Sequence, residues 1–557
     1  MNALTTAAPP ALVLFAAAAV CGATGRRCGH AVAVFAGLAT VAWLLAVPAG
    51  LHLQTSLFGF EVVLFRVDPF SRSVGLAFGY IAAAASLYAY ATDADGRQTA
   101  YALAYVGSAT GAIFAGDWLT LVIFWELMAV CATLLLWHGG GDARRAGFRY
   151  AIYHEVGGAV LIAAVLLQYA RSGTFLYTDG LAGLPATLAA VGIGLNAGFL
   201  GLHVWTVDAY PRPHVAASVI LAACTTKVGA YALVRAFPGG NGLLAYVGGA
   251  MVVGGVSMAI LQTDTRRLLT YHIVSQVGYM VAGVGAGTGL AVAGAFAHLV
   301  NNVLYKSLLF MVAGAIVYRT GEGNLKRLGG LARPMPVTFG LFVVAAASIA
   351  GVPGTNGFVS KAMVVDGVEA AGMEPLWWLL MIGAVGTVIS FLKFGYYAFL
   401  HGPSTTTTSD LSAGQAVSIG ATAALCVALG LVLDPFFAAL PGDPGTAKPF
   451  APSQFSKAGG LLAAGAVAFG LLRGPLARIE RVPDIDAVYH PLGLWFVYAL
   501  VAGTAGVAGA VDRAAGRLWA LAARLSAGSE STAGSDLDRR LLLVVLTLVF
   551  VLAVALL

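Results

Sequence analysis

Apolar segments of about 17 to 25 residues, each long enough as a helix to cross a hydrocarbon core of about 30 Å, recur along nearly the whole chain. No other feature constrains the fold as much, because a backbone inside lipid must satisfy its own hydrogen bonds. The 557 residues are 59% hydrophobic and 10% charged, which excludes an ordinary soluble domain. Hydropathy places spans near 10–24, 31–50, 70–91, 99–115, 117–137, 149–171, 185–207, 213–235, 241–262, 267–288, 290–318, 335–365, 375–401 and 413–433. Further apolar runs lie at 454–473, 491–510 and 541–557. The first run lacks a basic flank and is expected to be a retained span, not a cleaved signal. The expected fold class is an all-α polytopic membrane protein.

The basic residues set the expected orientation. Loops after odd-numbered spans carry sixteen, from Arg26 and Arg27 through Arg144, Arg145, Arg149, Arg266, Arg267, Lys326 and Arg327 to Arg481. Loops after even-numbered spans carry six: Arg66, Arg72, Arg171, Arg235, Lys448 and Lys457. The odd loops are therefore expected to be cytoplasmic and the N-terminus external. The net charge of +6 is scattered singly, which does not fit a nucleic-acid-binding face. Cysteines 21, 28, 131, 224 and 426 show no metal spacing and fall mostly in apolar runs, where Cys acts as a small hydrophobe.

Two spans carry helix breakers. Ile349-Ala-Gly-Val-Pro353-Gly-Thr-Asn-Gly357 interrupts span 335–365 and leads directly to Lys361. Span 185–207 holds Gly192, Gly194, Gly198 and Gly201 without proline. Broken helices at matching places in two halves are a mark of inverted repeats around a midplane site. Lys227 and Lys393 are 166 residues apart, and Asn196 and Lys361 165 apart, as a repeat of five spans would give.

Ionisable groups inside such spans are costly, roughly 2.5 to 3.5 kcal/mol for an acidic residue at a helix centre, and mark functional sites by default. Glu126 is a lone carboxylate within Asp117-Trp-Leu-Thr-Leu-Val-Ile-Phe-Trp-Glu-Leu-Met. Lys227, Lys306, Lys361 and Lys393 are the amines; each is either a functional group or a lysine snorkelling to the headgroups, an alternative strongest for Lys361 and Lys393. His298, Asn302 and Lys306 recur every four residues and share one helix face, a polar stripe that reads as a relay. A metal fits it poorly, since protonated lysine has no lone pair to give. His272 either passes protons between neighbours or packs as a helix histidine. His154 and Glu155, beside the basic 144–149 loop, read as a solvated interfacial pair; His203, Asp208 and His214 lie around one end of the seventh span. No nucleotide loop, redox cluster or hydrolytic motif is present, so no cofactor and no catalytic motif are expected.

These residues together resemble the antiporter-like proton-translocating subunits shared by Mrp cation/proton antiporters, respiratory complex I and membrane-bound hydrogenases, and most nearly the D-type subunit of Mrp Na⁺/H⁺ antiporters. The resemblance covers roughly residues 60 to 435. Phe124-Trp-Glu-Leu-Met, His203-Val-Trp-Thr-Val-Asp-Ala-Tyr-Pro, Thr226-Lys-Val-Gly-Ala-Tyr, Asp264-Thr-Arg-Arg-Leu-Leu-Thr-Tyr, His298 to Gly314, and Gly357-Phe-Val-Ser-Lys361 carry it. It implies a fourteen-helix core with two inverted five-helix repeats and discontinuous helices, plus about three C-terminal helices. The implied segments are N-terminal helices over 1–98, repeats over 99–235 and 241–401, and a C-terminal extension over 402–557. It further implies that Glu126, Lys227, Lys306 and Lys361 hold the proton-transfer positions, in a multisubunit complex whose homologous subunits complete the path.

The chain departs from the family pattern in the first half. Asn196 stands where the resemblance places a lysine partner of Glu126, Gly201 where it places a proline, and Asn302 where it places a second histidine. Asparagine hydrogen-bonds but does not carry a proton's charge. The function expected by resemblance is proton conduction in a cation/proton antiporter with Na⁺ as counter-ion, in a prokaryotic cell membrane. The competing readings are a membrane-arm subunit of a redox complex, a subunit of an inorganic-carbon uptake complex, and a non-pumping scaffold.

Overall fold

The computed structural model describes residues 8–177, 180–403 and 408–479, and isolated positions between 482 and 521. Met1–Pro483 form one compact unit and Asp484–Leu557 a second. The expected runs at 491–510 and 541–557 lie, apart from scattered positions, outside the described residues.

Helices α1 (Pro10–Ala23) and α2 (Arg26–Ala46) lead into a hairpin of β1 (Gly50–Leu57) and β2 (Phe60–Val67). Next come α3 (Pro69–Ala91), α4 (Gly96–Phe114), α5 (Trp118–His138) and α6 (Gly141–Ser172). Shorter pieces follow: α7 (Gly183–Ala197), α8 (Val204–Ala209), α9 (Val215–Ala223) and α10 (Thr225–Ala236). Continuous α11 (Gly242–Leu261), α12 (Thr265–Ala286) and α13 (Gly289–Thr320) precede the broken pair α14 (Pro336–Ala350) and α15 (Asn356–Ala370). The described chain closes with α16 (Glu374–Gly395), which runs into a π turn, then α17 (Ala413–Leu431), α18 (Leu433–Ala438) and α19 (Pro452–Arg478). All fourteen expected spans fall on a helix or a helix pair, and run 454–473 falls on α19. Nine of the described helices, and α9 and α10 taken together, are long and apolar enough to cross a membrane.

Polar caps fix where helices begin. Asp95, Asp117 and Asp264 accept the N–H of Gln98, Thr120 and Arg267, and Asp68 and Ser71 form a reciprocal capping box. Each such cap stabilises a helix by about 1 kcal/mol. Asp117 has a second task, because its other oxygen accepts the Val63 N–H of β2 at 2.6 Å and ties the hairpin to α5. That hairpin is an addition to the expected all-α fold. Its two-residue turn, Phe58 (φ 54°) and Gly59 (φ 85°), has the positive φ pair that matches strand twist.

Helix α13 is the axis of the molecule. Its 32 residues extend about 48 Å at 1.5 Å per residue, and all but its two ends are buried. Helices α3, α9, α12, α14, α15 and α17 pack around it. A Cβ at Gly294 would meet the Met363–Val364 backbone, so α13 and α15 approach through a glycine, the usual device of helix contacts in lipid.

Candidate functional site

The site is built on helix breaks. Helices α7 and α14 each end on a left-handed glycine, Gly198 (φ 74°) and Gly351 (φ 81°); three residues on, Gly201 (φ 93°) and Gly354 (φ 87°) turn the chain again. In each case the next N–H returns five residues, Phe199 to Gly194 and Val352 to Ala347, both at 2.9 Å. Both expected interruptions are therefore present and share one geometry, with Gly351 lying 153 residues after Gly198. In this register Asn196 stands opposite Ile349 and Lys361 opposite Asp208.

The breaks free carbonyls, and different groups cap them. Leu195 O accepts Trp205 Nε1 at 2.9 Å, whereas Ile349 O accepts Lys361 Nζ at 2.6 Å. A third interruption, inside a run that hydropathy marks as one continuous span, lies at Cys224 between α9 and α10. There the Thr225 N–H is drawn to the Tyr105 hydroxyl at 2.9 Å, and Lys227 Nζ donates to Ala222 O at 2.7 Å. Lys393 Nζ donates to Ile260 O and Gln262 O at the end of α11, and Lys306 Nζ to Leu269 O of α12. All four lysines are buried. Lys361 and Lys393 bind main-chain carbonyls and do not snorkel. Among the described residues no carboxylate pairs with any of the four amines, so each is held by neutral groups, Lys361 also lying 5.2 Å from the centre of the Tyr279 ring.

Uncharged groups form a separate hydrogen-bonded network on α13. His298 Nδ1 meets Ser360 Oγ at 3.0 Å and its Nε2 meets the Tyr305 hydroxyl at 3.2 Å. That hydroxyl also accepts from Asn302 Nδ2 at 3.0 Å and donates to Gln276 Oε1 at 3.3 Å. The polar stripe of α13 is thus joined through Tyr305. His272 is buried with its ring tilted against Phe391. Buried polar atoms without protein partners cluster here, including both nitrogens of His272, Gln276 Nε2, Asn302 Oδ1 and the Asn356 amide. Left dry, each would cost about 1 to 3 kcal/mol, so the band calls for internal water. Tyr305, Gln276, Ser360 and Asn356 escape a reading of the sequence alone. Being uncharged, they leave hydropathy almost unchanged, and only the Asn301-Asn302 doublet inside an apolar run hints at them.

Glu126 lies apart from this axis. It is half-buried on α5, between the exposed Ile123, Leu127 and Val130, and its Oε1 has no protein partner. Its carboxylate occupies the space left by Gly158 of α6, where a Cβ would overlap it. The nearby charge is another acid, the exposed Glu155; no ion pair links Glu126 to Lys227. His154 and Glu155 do not act as a solvated pair, since His154 is buried, stacked on Tyr150 and edge-on to Trp205. Asn196 is buried with both amide atoms unpartnered, so the position keeps its polarity without the lysine's charge. Asp208 pairs with Arg149 and Arg212, and His214 caps α9.

The architecture defines a multi-pass integral membrane protein with four buried amines, two of them at helix breaks, and a polar network on α13. Residues 115–390 match the family described as NADH:quinone oxidoreductase/Mrp antiporter, transmembrane, and the chain belongs to that family. It is 29% identical over 407 residues to the D subunit of the Na(+)/H(+) antiporter of Alkalihalophilus pseudofirmus, covering 68% of this chain and 82% of the relative. It is 32% identical over 371 residues to the N subunit of the NADH-quinone oxidoreductase of Desulforudis audaxviator, covering 62% and 74%. Among solved structures, a chain of the Mrp complex from Dietzia sp. superposes with a TM-score of 0.66 at 21% identity over 83% of this chain and 95% of that one. A chain of an archaeal membrane-bound sulfane sulfur reductase superposes at 0.72 and 21% identity over 98% and 99%.

Proposed function

We propose that this chain is the proton-conducting subunit of a multisubunit cation/proton antiporter, with Na⁺ as counter-ion, in a prokaryotic cell membrane with its N-terminus external. One observation carries the reading: four buried lysines without carboxylate partners among the described residues, each on a main-chain carbonyl, two of them at helix breaks. An amine held by neutral dipoles can lose and regain a proton without breaking an ion pair, which is what a relay requires. The path runs through Lys227, Lys306, His298 and Lys361, with His272 and Lys393 beside it. The matching breaks at Gly198 and Gly351 support two repeats over 99–235 and 241–401. Glu126 and Asn196 serve the first half, where water at the unpaired Asn196 amide replaces a lysine and a cation from a neighbouring membrane subunit meets Glu126.

The test is Na⁺-driven proton movement in vesicles bearing the assembled complex. Lys306→Met and Glu126→Ala abolish it while assembly persists; unchanged transport in both sinks the proton-site reading. Proton movement that needs an electron donor and ignores a Na⁺ gradient assigns the chain to a redox complex instead.

A further inference from the structure

Where α16 ends, the chain makes its π turn, Tyr396–Leu400, on the membrane face that bears loop 321–335. Main-chain bonds fix that loop against its neighbours: Leu331 and Ala332 donate to Ala398 O and Phe399 O, and Leu325 donates to Thr263 O. Between the loop, the end of α16 and the last turn of α19 lies a cavity of about 260 Å³, lined by Lys326, Lys393, Tyr397, His401, Leu325 and Leu476 among others. One water needs roughly 10 to 15 Å³, so the space admits a group of many heavy atoms, not merely a small ion. The charge lining it is of one sign. Lys393 Nζ gives two of its three N–H donors to Ile260 O and Gln262 O, which leaves one for a ligand. No described carboxylate lines the space. The acids nearest in sequence are engaged elsewhere, Glu322 with the N–H groups of Gly323 and Asn324 and with Arg327, and Asp264 with the Arg267 N–H. Two amines facing one space without an acid disfavour each other's charge unless an anion joins them. The last carbonyls of α19 oppose an anion here, and Arg478 in the same turn offsets them.

We propose that this cavity binds a phosphate group, supplied by the headgroup of an anionic membrane phospholipid, with Lys326 and Lys393 as its cationic partners and Tyr397 and His401 at its rim. Basic pockets between membrane helices suit such headgroups, and lysine meets phosphate as a point charge. Apolar surface favours a lipid over free phosphate: Leu325 and Leu476 form part of the wall, and Leu400 on α16 and Leu472, one turn before Leu476, are exposed for acyl chains to follow. The bound lipid bridges α16 and α19 at the end where the Tyr397 hydroxyl donates to Arg473 O at 2.9 Å. Its binding does not require a proton relay through Lys361.

Thiol protection in the intact complex, reconstituted into nanodiscs, tests this. Ala477→Cys places a thiol on the cavity wall, and the exposed native Cys28 serves as the reference. Cys28 lies beside Arg26 on the same membrane face, since Arg26 and Tyr318 both bond Asp93. An uncharged maleimide labels both thiols, and peptide mass spectrometry reads each rate. Phosphatidylglycerol slows labelling of Ala477→Cys about tenfold relative to phosphatidylcholine, the protection given by a ligand at about ten times its Kd, and leaves Cys28 unchanged. Adding Lys326→Ala or Lys393→Met weakens that protection, and Lys326→Arg keeps it. Equal labelling of Ala477→Cys in the two lipids overturns the site. Protection that neither Lys326→Ala nor Lys393→Met weakens overturns the role of the amines. Inorganic phosphate added to phosphatidylcholine nanodiscs separates the two sources: protection as strong as that of phosphatidylglycerol overturns the lipid assignment, and weaker protection or none supports it.

Discussion

Lys361 Nζ and the carbonyl of Ile349, twelve residues apart, meet at 2.6 Å across the break between α14 and α15. The corresponding break after α7 is closed by a neutral donor, Trp205 Nε1 on Leu195 O. The same backbone device therefore carries a titratable cap in the second half and a fixed one in the first. On the proposed relay, the second half's proton chemistry would lie at the break itself.

Replacing the titratable cap separates its two roles. Lys361→Met leaves Ile349 O buried and unpaired, which destabilises the protein by about 1 to 3 kcal/mol. On the proposed relay it also removes a proton carrier, so coupled transport falls at least about tenfold, the effect of ~1.4 kcal/mol or more on a rate. Thermal melting of the solubilised complex and vesicle transport read the two separately. A variant that melts like the parent would show that the bond does not hold the break closed.

Trp205→Phe is the matched experiment in the first half. It removes the indole N–H from Leu195 O, which keeps the Gly198 N–H at 3.2 Å, so the break loosens by a smaller amount, about 0.5 to 1.5 kcal/mol. Because no proton is carried there, transport per assembled complex changes little. A loss as large as that of Lys361→Met would mean that break geometry, and not the amine, governs conduction.

Asp95 gives a pH dependence outside the spans. Burial works to raise its carboxyl, but the Gln98 N–H and the His138 ring outweigh it and hold the group below the usual carboxylate range. A carboxylate more acidic in the fold than in the unfolded chain stabilises above the unfolded value of about 3.9, and that contribution is lost as pH falls through the folded value. Asp95→Ala should therefore cost about 1 kcal/mol near neutral pH, the worth of a helix cap, and progressively less below about pH 4. Melting of parent and variant against pH checks this.

Much of this was legible in the sequence because lipid imposes a one-dimensional rule. Apolar length placed every span, Gly-x-Pro-Gly chemistry at 351–354 placed one break, and the isolated charges marked Glu126, Lys227, Lys306, Lys361 and Lys393. Features set by partners across helices were not legible. The Cys224 break depends on the Tyr105 hydroxyl that accepts the Thr225 N–H from 120 residues away, and the Tyr305 junction on Gln276 of another helix. His154 looked interfacial because it neighbours Glu155 and a basic loop, yet α6 turns the histidine inward and the glutamate outward. The hairpin at 50–67 escaped because it lies between spans, where hydropathy carries no period of interest.

Gly158 offers the sharpest test of Glu126. The two residues face each other across α5 and α6, and a methyl group at position 158 would occupy the carboxylate's place. Gly158→Ala changes no charge and suits a helix better than glycine by about 1 kcal/mol. If the carboxylate only fills surface, the substitution is tolerated with transport intact. If Glu126 must sit in that notch to meet a proton or a partner's cation, Gly158→Ala reproduces the loss seen in Glu126→Ala with the complex still assembled. Adding Glu155→Gln then shows whether the second acid contributes. A partner cation shared by both carboxylates predicts weakened subunit association in the Glu126→Gln/Glu155→Gln double variant beyond the sum of the singles, because paired groups couple where independent ones add.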